Sequence, residues 1–305
     1  MNFAYCIDKK FNIQCAVSIF SLLNNVTEDV SIHILHSEPE SFEQYSELLN
    51  KHSKCKVINM HKVNTESFKF PKLENAHVSS ATYFRIYLEK YIQINDFIIY
   101  LDADTITVNN PLDLFKIQVA KMREQNYYFG AALETSKNNS KEIFDRLNLK
   151  SEKYFNAGVM VFDFNNQNSL NLTNKLLNLT KKLGNNIKHW DQDVLNKFFD
   201  SQFFELTSTL NHKLIKNDNM ANNDTKIVHY LGSKKPWTFE GLLRKNSIYY
   251  QKNYKKLFNK YSYHVTSKWR KKTYLDLLKF LISLKIFSHK DYIKILISTI
   301  QVKKH

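Results

Sequence analysis

The sequence predicts an α/β protein: one domain around a mostly parallel central sheet, followed by a helical, basic C-terminal tail. Three observations carry this. Phe97-Ile98-Ile99-Tyr100-Leu101 is an unbroken apolar run, mainly β-branched or aromatic, as in a strand buried on both faces. Short apolar runs alternate with segments of helical apolar spacing, the order that gives parallel strands joined by right-handed crossovers. With 305 residues, 43% of them hydrophobic, the chain can bury the core of one large α/β domain or two ordinary ones. No repeat or low-complexity linker divides it.

Taken in order, Phe3 to Ile7 reads as a first strand ending at Asp8, and Ala16, Ile19, Phe20 and Leu23 set the period of a first helix. Residues 30–35 read as a strand, Phe42, Tyr45 and Leu49 as a helix face, and residues 56–60 as another strand. Ala81, Phe84 and Leu88 give a helical period through a segment carrying Arg85, which alone reads as a solvated helix arginine. The apolar strand at 97–101 runs into Asp102-Ala103-Asp104-Thr105. In extended chain Asp102 and Asp104 would point to one side, with Ala103 facing away. Paired carboxylates at the carboxyl end of a strand suit a hard divalent cation, and ligands of open α/β sheets bind at that end.

Asn110-Pro111 marks a turn. Residues 128–133 read as a strand ending at Glu134. Residues 154–163 form a strand in which Asn156, Ala157 and Gly158 interrupt a bulky run, a sign that another group approaches the backbone closely. Asp191 reads as the N-cap of a helix with Val194, Leu195, Phe198 and Phe199 on its apolar face, and Asp193 as an acidic first-turn residue. The last clear strand, residues 226–232, carries His229, which alone reads as an ordinary half-buried strand histidine. Gly232, Lys234 and Lys235 follow before Pro236-Trp237.

The formal charge of +15 and pI of about 9.4 predict attraction to phosphates or an anionic surface. No zinc finger, helix-turn-helix spacing or aromatic-basic single-strand motif supports a nucleic-acid partner. Only 5 glycines, none in a phosphate loop after the first strand, argue against a classical dinucleotide fingerprint or a Walker loop. Cys6, Cys15 and Cys55 leave an odd thiol and lack metal-ligand spacing, so reduced cysteines in or near the core are expected. The absence of a membrane-spanning run or signal segment predicts a cytoplasmic location. Beyond about Tyr263 the composition shifts. Lys268, Arg270, Lys271, Lys272, Lys279 and Lys285 interleave with Trp269, Leu277, Leu278, Leu281, Leu284 and Phe287. That basic amphipathic pattern fits either a helix packed on the domain or an interfacial membrane helix. The interfacial reading, with residues 1–262 as catalytic domain and 263–305 as tail, is the expectation adopted.

Six blocks in this order resemble the family 8 retaining glycosyltransferases, which include bacterial lipopolysaccharide galactosyl- and glucosyltransferases. They are the strand ending in Asp8, Ser79 to Arg85, Tyr100 to Asp104, Phe155 to Gly158, Trp190 to Asp193, and His229 to Trp237. The resemblance implies a Rossmann-like nucleotide-sugar-binding domain of the glycosyltransferase A type. It implies Mn²⁺, with Mg²⁺ as substitute, on Asp102, Asp104 and His229. It implies a base or ribose contact at Asp8, donor-sugar contacts at Arg85, Ala103, Glu134, Asn156, Ala157, Asp191 and Gln192, and diphosphate contacts at Gly232 and Lys235. The implied reaction moves galactose or glucose from its UDP-sugar to a saccharide or lipid-linked glycan at the inner face of the membrane, forming an α-linkage. Two residues depart from the family pattern: Glu134 stands where aspartate is common, which bears on donor choice, and Lys9-Lys10 replaces a more polar or acidic pair.

Chemistry agrees with the resemblance. Developing charge on a leaving diphosphate calls for a divalent metal, a lysine and a backbone amide. Mixed carboxylate and imidazole ligation suits Mn²⁺ better than Mg²⁺. Gln192 is a poor nucleophile, which favours same-face attack over the double displacement of retaining glycosidases, with Asp191 beside it. Two other classes compete. Asp102-Ala103-Asp104-Thr105 after an apolar strand also resembles the nucleophile motif of haloacid-dehalogenase-like phosphatases. A non-enzymatic nucleic-acid or membrane-surface binder would leave the acids structural.

Overall fold

A computed structural model describes residues 1–64, 70, 80–134, 141–215, 220–242 and 244–259; the predicted tail helix and residue 79 of the second block lie outside them. The chain runs β1 (Asn2–Ile7), α1 (Asn12–Leu23), β2 (Val30–His36), α2 (Glu43–Asn50), β3 (Cys55–Lys62), α3 (Leu88–Tyr91), β4 (Phe97–Leu101), β5 (Thr105–Thr107), α4 (Leu112–Glu124) and β6 (Phe129–Leu133). It continues with α5 (Lys141–Leu147), β7 (Phe155–Asp163), α6 (Leu172–Leu183), α7 (Trp190–Phe198), β8 (Phe204–Glu205), β9 (His212–Leu214), β10 (Ile227–Tyr230), α8 (Phe239–Leu242) and α9 (Ile248–Phe258).

The main sheet has strand order β3-β2-β1-β4-β7-β6-β8. It is mostly parallel, as predicted: β1 pairs parallel with β2 and β4, β2 with β3, and β6 with β8. The strand at 155–163 departs from a purely parallel sheet, since β7 lies antiparallel between β4 and β6. An apolar run has the same composition in either direction, so the sequence carries no sign of this reversal. Alternate residues of the central strands feed two buried clusters, one on each face. Phe3, Tyr5, Ile99 and Leu101 pack towards α1, α4 and α9, whereas Ala4, Ile98, Tyr100 and Phe162 pack towards α6 and α7. This two-sided burial is why β4 reads as an unbroken apolar run.

A second, small sheet, β5-β10-β9, determines the site. β5 and β9 have three residues each, too few for a visible alternation. β5 pairs antiparallel with β10, setting Thr105 opposite His229, and the Tyr230 N–H bonds the Asp104 carbonyl at 3.1 Å. The last of the described strands is thereby brought beside the acid pair.

Three local expectations are corrected. Asp102 and Asp104 are not on an extended strand: β4 ends at Leu101, and a turn closed by the Thr105 N–H on the Asp102 carbonyl (3.1 Å) carries both acids to one side. The segment at 80–87 is a 3-10 helix rather than an α-helix, with only its last turn, α3, α-helical. Asp191 does not cap its helix. His189 occupies the N-cap position, and Asp191 turns inward from the first turn, 1% exposed. Cys6 and Cys15 are buried free thiols and Cys55 is half-buried and free. Among the described residues no helix is long and apolar enough to cross a membrane.

Candidate active site

At the carboxyl end of β4, Asp102, Asp104 and His229 offer ligand atoms that all lie within 4.8 Å of one another. His229 Nε2 is 3.1 Å from Asp104 Oδ1 and 3.9 Å from Asp102 Oδ2. Asp104 Oδ1 is buried yet accepts no hydrogen bond, so the 3.1 Å approach leaves its lone pairs unused. A buried anionic oxygen in that condition is costly unless a cation meets it. Two carboxylates and an imidazole are a donor set suited to Mn²⁺. Burial alone would raise the Asp104 carboxyl, but the Lys235 ammonium beside it holds it well below the usual carboxylate range. Lys235 Nζ sits 2.5 Å from Asp104 Oδ2 and also donates to the Tyr230 carbonyl.

Gly158 explains the run of small residues in β7. A Cβ there would stand 2.1 Å from His229 Cε1 and 2.6 Å from Nδ1, so the Cε1 side of the imidazole lies directly against this stretch of backbone. Gly241 has a similar role that the sequence did not reveal. A Cβ at that position would meet the Lys235 carbonyl oxygen at 1.8 Å, so α8 can close over the loop that carries Lys235. Gly232, just beyond β10, has φ of +75°, a conformation that glycine adopts without strain.

Arg85 is 6% exposed, not solvated. Its Nη1 lies 3.2 Å from Asp102 Oδ1 and its Nε 2.7 Å from Asp191 Oδ2. The latter contact is an ion pair without a hydrogen bond, because Nε–H is directed to the Thr82 carbonyl at 3.0 Å. Nη1 also donates to the Ala157 carbonyl at 2.5 Å, and Nη2 to Thr82 Oγ1 at 2.7 Å. Tyr100, two residues before Asp102 and on the same side, donates to Asp102 Oδ1 at 2.6 Å, and its ring lies beneath the guanidinium. Burial pushes the Asp191 carboxyl up to about 7, with Arg85 opposing and Asp102 adding to the rise.

Gln192, Asn156 and Glu134 join this cluster. Gln192 Oε1 accepts the Ala157 N–H at 3.0 Å, and Asn156 Nδ2 donates to Glu134 Oε2 at 3.2 Å. Glu134 Oε1 is 3.2 Å from Lys213 Nζ, a buried lysine on β9 that the sequence did not single out. Burial lowers the Lys213 ammonium, while Glu134 counters the shift. Asp8 stands apart at the carboxyl end of β1, where its Oδ1 accepts the Lys10 N–H at 2.9 Å. Lys9 is tied at the surface to Glu38. Asp193, read as a first-turn acid, is fully buried and holds the α7 region. It pairs with Arg146 Nη1 at 2.7 Å and accepts from Tyr154 Oη and the backbone N–H groups of Lys188 and His189.

A mostly parallel sheet with a carboxylate–imidazole cluster at the carboxyl end of its central strand is an α/β architecture with a candidate cation site where such sheets bind ligands. The family profile described as glycosyl transferase family 8 matches residues 2–241, and the chain belongs to that family. It is 31% identical over 249 residues to a Haemophilus influenzae protein of the glycosyltransferase class, across 78% of this chain and 73% of that one. It is 29% identical over 252 residues to the lipopolysaccharide 1,3-galactosyltransferase of Salmonella typhimurium, across 77% and 72% of the two chains. The crystal structure of galactosyltransferase LgtC, with donor and acceptor sugar analogues, shares the fold at a TM-score of 0.72 and 18% identity. It covers 90% of this chain and 100% of that one. Family membership over this span displaces both the phosphatase reading of Asp102-Ala103-Asp104-Thr105 and the non-enzymatic reading.

Proposed function

We propose that this glycosyltransferase is a retaining, Mn²⁺-dependent hexosyltransferase. It would transfer galactose or glucose from UDP to a saccharide or lipid-linked glycan of the cell surface, forming an α-linkage. The observation that carries this reading is the convergence of Asp102, Asp104 and His229 on one point, with Lys235 Nζ at 2.5 Å from the same carboxylate. Asp102, Asp104 and His229 would hold the cation, which when bound supplies Lewis-acid stabilisation of the leaving diphosphate. Lys235 and the Gly232 backbone bind that diphosphate, and Asp8 holds the uridine. Arg85, Ala103, Glu134, Asn156, Ala157 and Asp191 orient the sugar.

In the step itself the anomeric carbon–oxygen bond to the diphosphate breaks. The acceptor oxygen then bonds to the anomeric carbon from the same face, and its proton passes to the leaving phosphate oxygen. Local geometry supports this over a double displacement. Gln192 Oε1 already accepts a backbone N–H, and Asp191 takes the Thr82 hydroxyl at 3.2 Å on one oxygen and faces Arg85 with the other. Neither is a free nucleophile. Gln192 instead steadies positive charge on the sugar. Gln192→Ala is therefore expected to slow transfer by about 10²-fold, the loss typical of one such polar group, while the product keeps its α-configuration. Proton coupling constants of the isolated product check this, and a β-linked product from the unaltered protein would end the retaining reading.

We also propose that residues 263–305 place the enzyme on the cytoplasmic face of an anionic membrane, where a lipid-linked acceptor would be met. Lysines and arginine there alternate with leucines, and each basic residue near an anionic surface adds about 1 kcal/mol of attraction. Removing residues 267–305 is expected to abolish sedimentation with anionic liposomes while UDP-sugar hydrolysis persists. Full-length protein that ignores such liposomes at low salt contradicts the proposal.

A further inference from the structure

Beneath His229 lies a chain of buried side chains whose hydrogen-bonding direction is set by the backbone. The Gly158 N–H can only donate, and it meets Asn156 Oδ1 at 3.0 Å, which identifies that atom as the amide oxygen. The other end of the same amide agrees, since Asn156 Nδ2 faces the Glu134 carboxylate at 3.2 Å. Asn211 Nδ2 lies 3.0 Å from Asn156 Oδ1 and must donate to it. The Asn211 oxygen is therefore turned the opposite way, to His229 Nδ1 at 3.0 Å. An amide oxygen only accepts, so Nδ1 carries the hydrogen. When the ring is neutral that is its one N–H, which leaves the Nε2 lone pair turned to Asp104 and Asp102, as ligation of a cation requires. Asn156, Asn211 and His229 are 6%, 1% and 3% exposed, too buried for water to supply an alternative partner. Asn211 itself is fixed by its N–H on the Ser208 carbonyl at 3.1 Å, where the chain enters β9.

We propose that Asn211 is a positioning residue for His229, holding the imidazole as the Nδ1–H tautomer with Nε2 presented to the Asp102 and Asp104 carboxylates. This rests on the reading of His229 as a cation ligand. Partners of this kind fix the orientation of a ligating histidine, and their loss typically weakens metal binding about 10- to 100-fold. Through Asn156 the same network reaches Glu134 and Gln192, so the cation side and the sugar side of the site share one rigid support.

Two measurements test it on the full-length protein. In metal-free protein with isotopically labelled histidine, at alkaline pH where the ring is neutral, long-range proton–nitrogen correlation should show His229, assigned by its loss in His229→Gln, as the Nδ1–H tautomer. The Nε2–H tautomer would overturn the proposal whether or not any variant folds. Mn²⁺ affinity in the presence of UDP, read from the paramagnetic resonance of free Mn²⁺, should fall about 10- to 100-fold in Asn211→Leu. Asn211→Asp keeps an acceptor on Nδ1 and should recover most of that loss. Asn211→Leu protein that binds Mn²⁺ as tightly as the unaltered protein would overturn the positioning role alone. Unaltered protein that binds no Mn²⁺ would overturn the cation reading together with it.

Discussion

Asp104→Asn is expected to abolish transfer, with kcat/KM falling by about 10³-fold or more, and chelation of divalent metal should do the same to the unaltered protein. Asp104 Oδ1 is a buried anionic oxygen that accepts no hydrogen bond, 3.1 Å from His229 Nε2. An amide there would replace a cation ligand with a neutral group and would remove the partner of Lys235 on Oδ2. Metal stabilisation of a leaving group amounts to several kcal/mol, and each 1.4 kcal/mol is about tenfold in rate, which sets the size of the expected loss. Rates of UDP release with added Mn²⁺ check it. Full turnover of Asp104→Asn in metal-free buffer would contradict the cation assignment.

The second large effect is expected from the smallest change, Gly158→Ala. The new Cβ would overlap the His229 ring at 2.1 Å, and β7, buried along its whole length between β4 and β6, cannot retreat. The imidazole must swing off the strand, taking Nε2 away from Asp104. A displacement of about 1 Å in such a group can cost about 10²-fold in rate, and overpacking of this kind costs about 1–3 kcal/mol in stability. A folded Gly158→Ala protein with lowered Mn²⁺ affinity and about 10²-fold lower activity is the expected result. Unchanged affinity and rate would show that the close approach is not required.

These two positions mark how far the sequence could be read. Asp102 and Asp104 were legible because an acid pair after a fully apolar strand is a local pattern, although the geometry that unites them is a turn and not an extended strand. Gly158 was legible as a close approach, but not which group approaches, because the answer lies in the pairing of β5 with β10. Strands of three residues leave no alternation to detect. Asn211 and Lys213 carried no signal, since an asparagine between a short turn and a short strand reads as loop, and a lysine reads as surface until Glu134 is found beside it. Asp193 lies in the first turn of its helix, as read, but its burial was hidden for the converse reason. An acid in the first turn of a helix is expected, and only the packing of Arg146 and Tyr154 against it shows a buried anchor.

Cation-assisted cleavage of a UDP-sugar by the cluster at the end of β4 is tested most directly with a donor panel of UDP-galactose, UDP-glucose and GDP-sugars, each incubated with the protein with and without Mn²⁺ and scored for release of the nucleoside diphosphate. UDP release from a UDP-hexose is expected only when Mn²⁺ is present. Release that proceeds undiminished without metal, or no release from any UDP-hexose by folded protein that binds Mn²⁺, would contradict it.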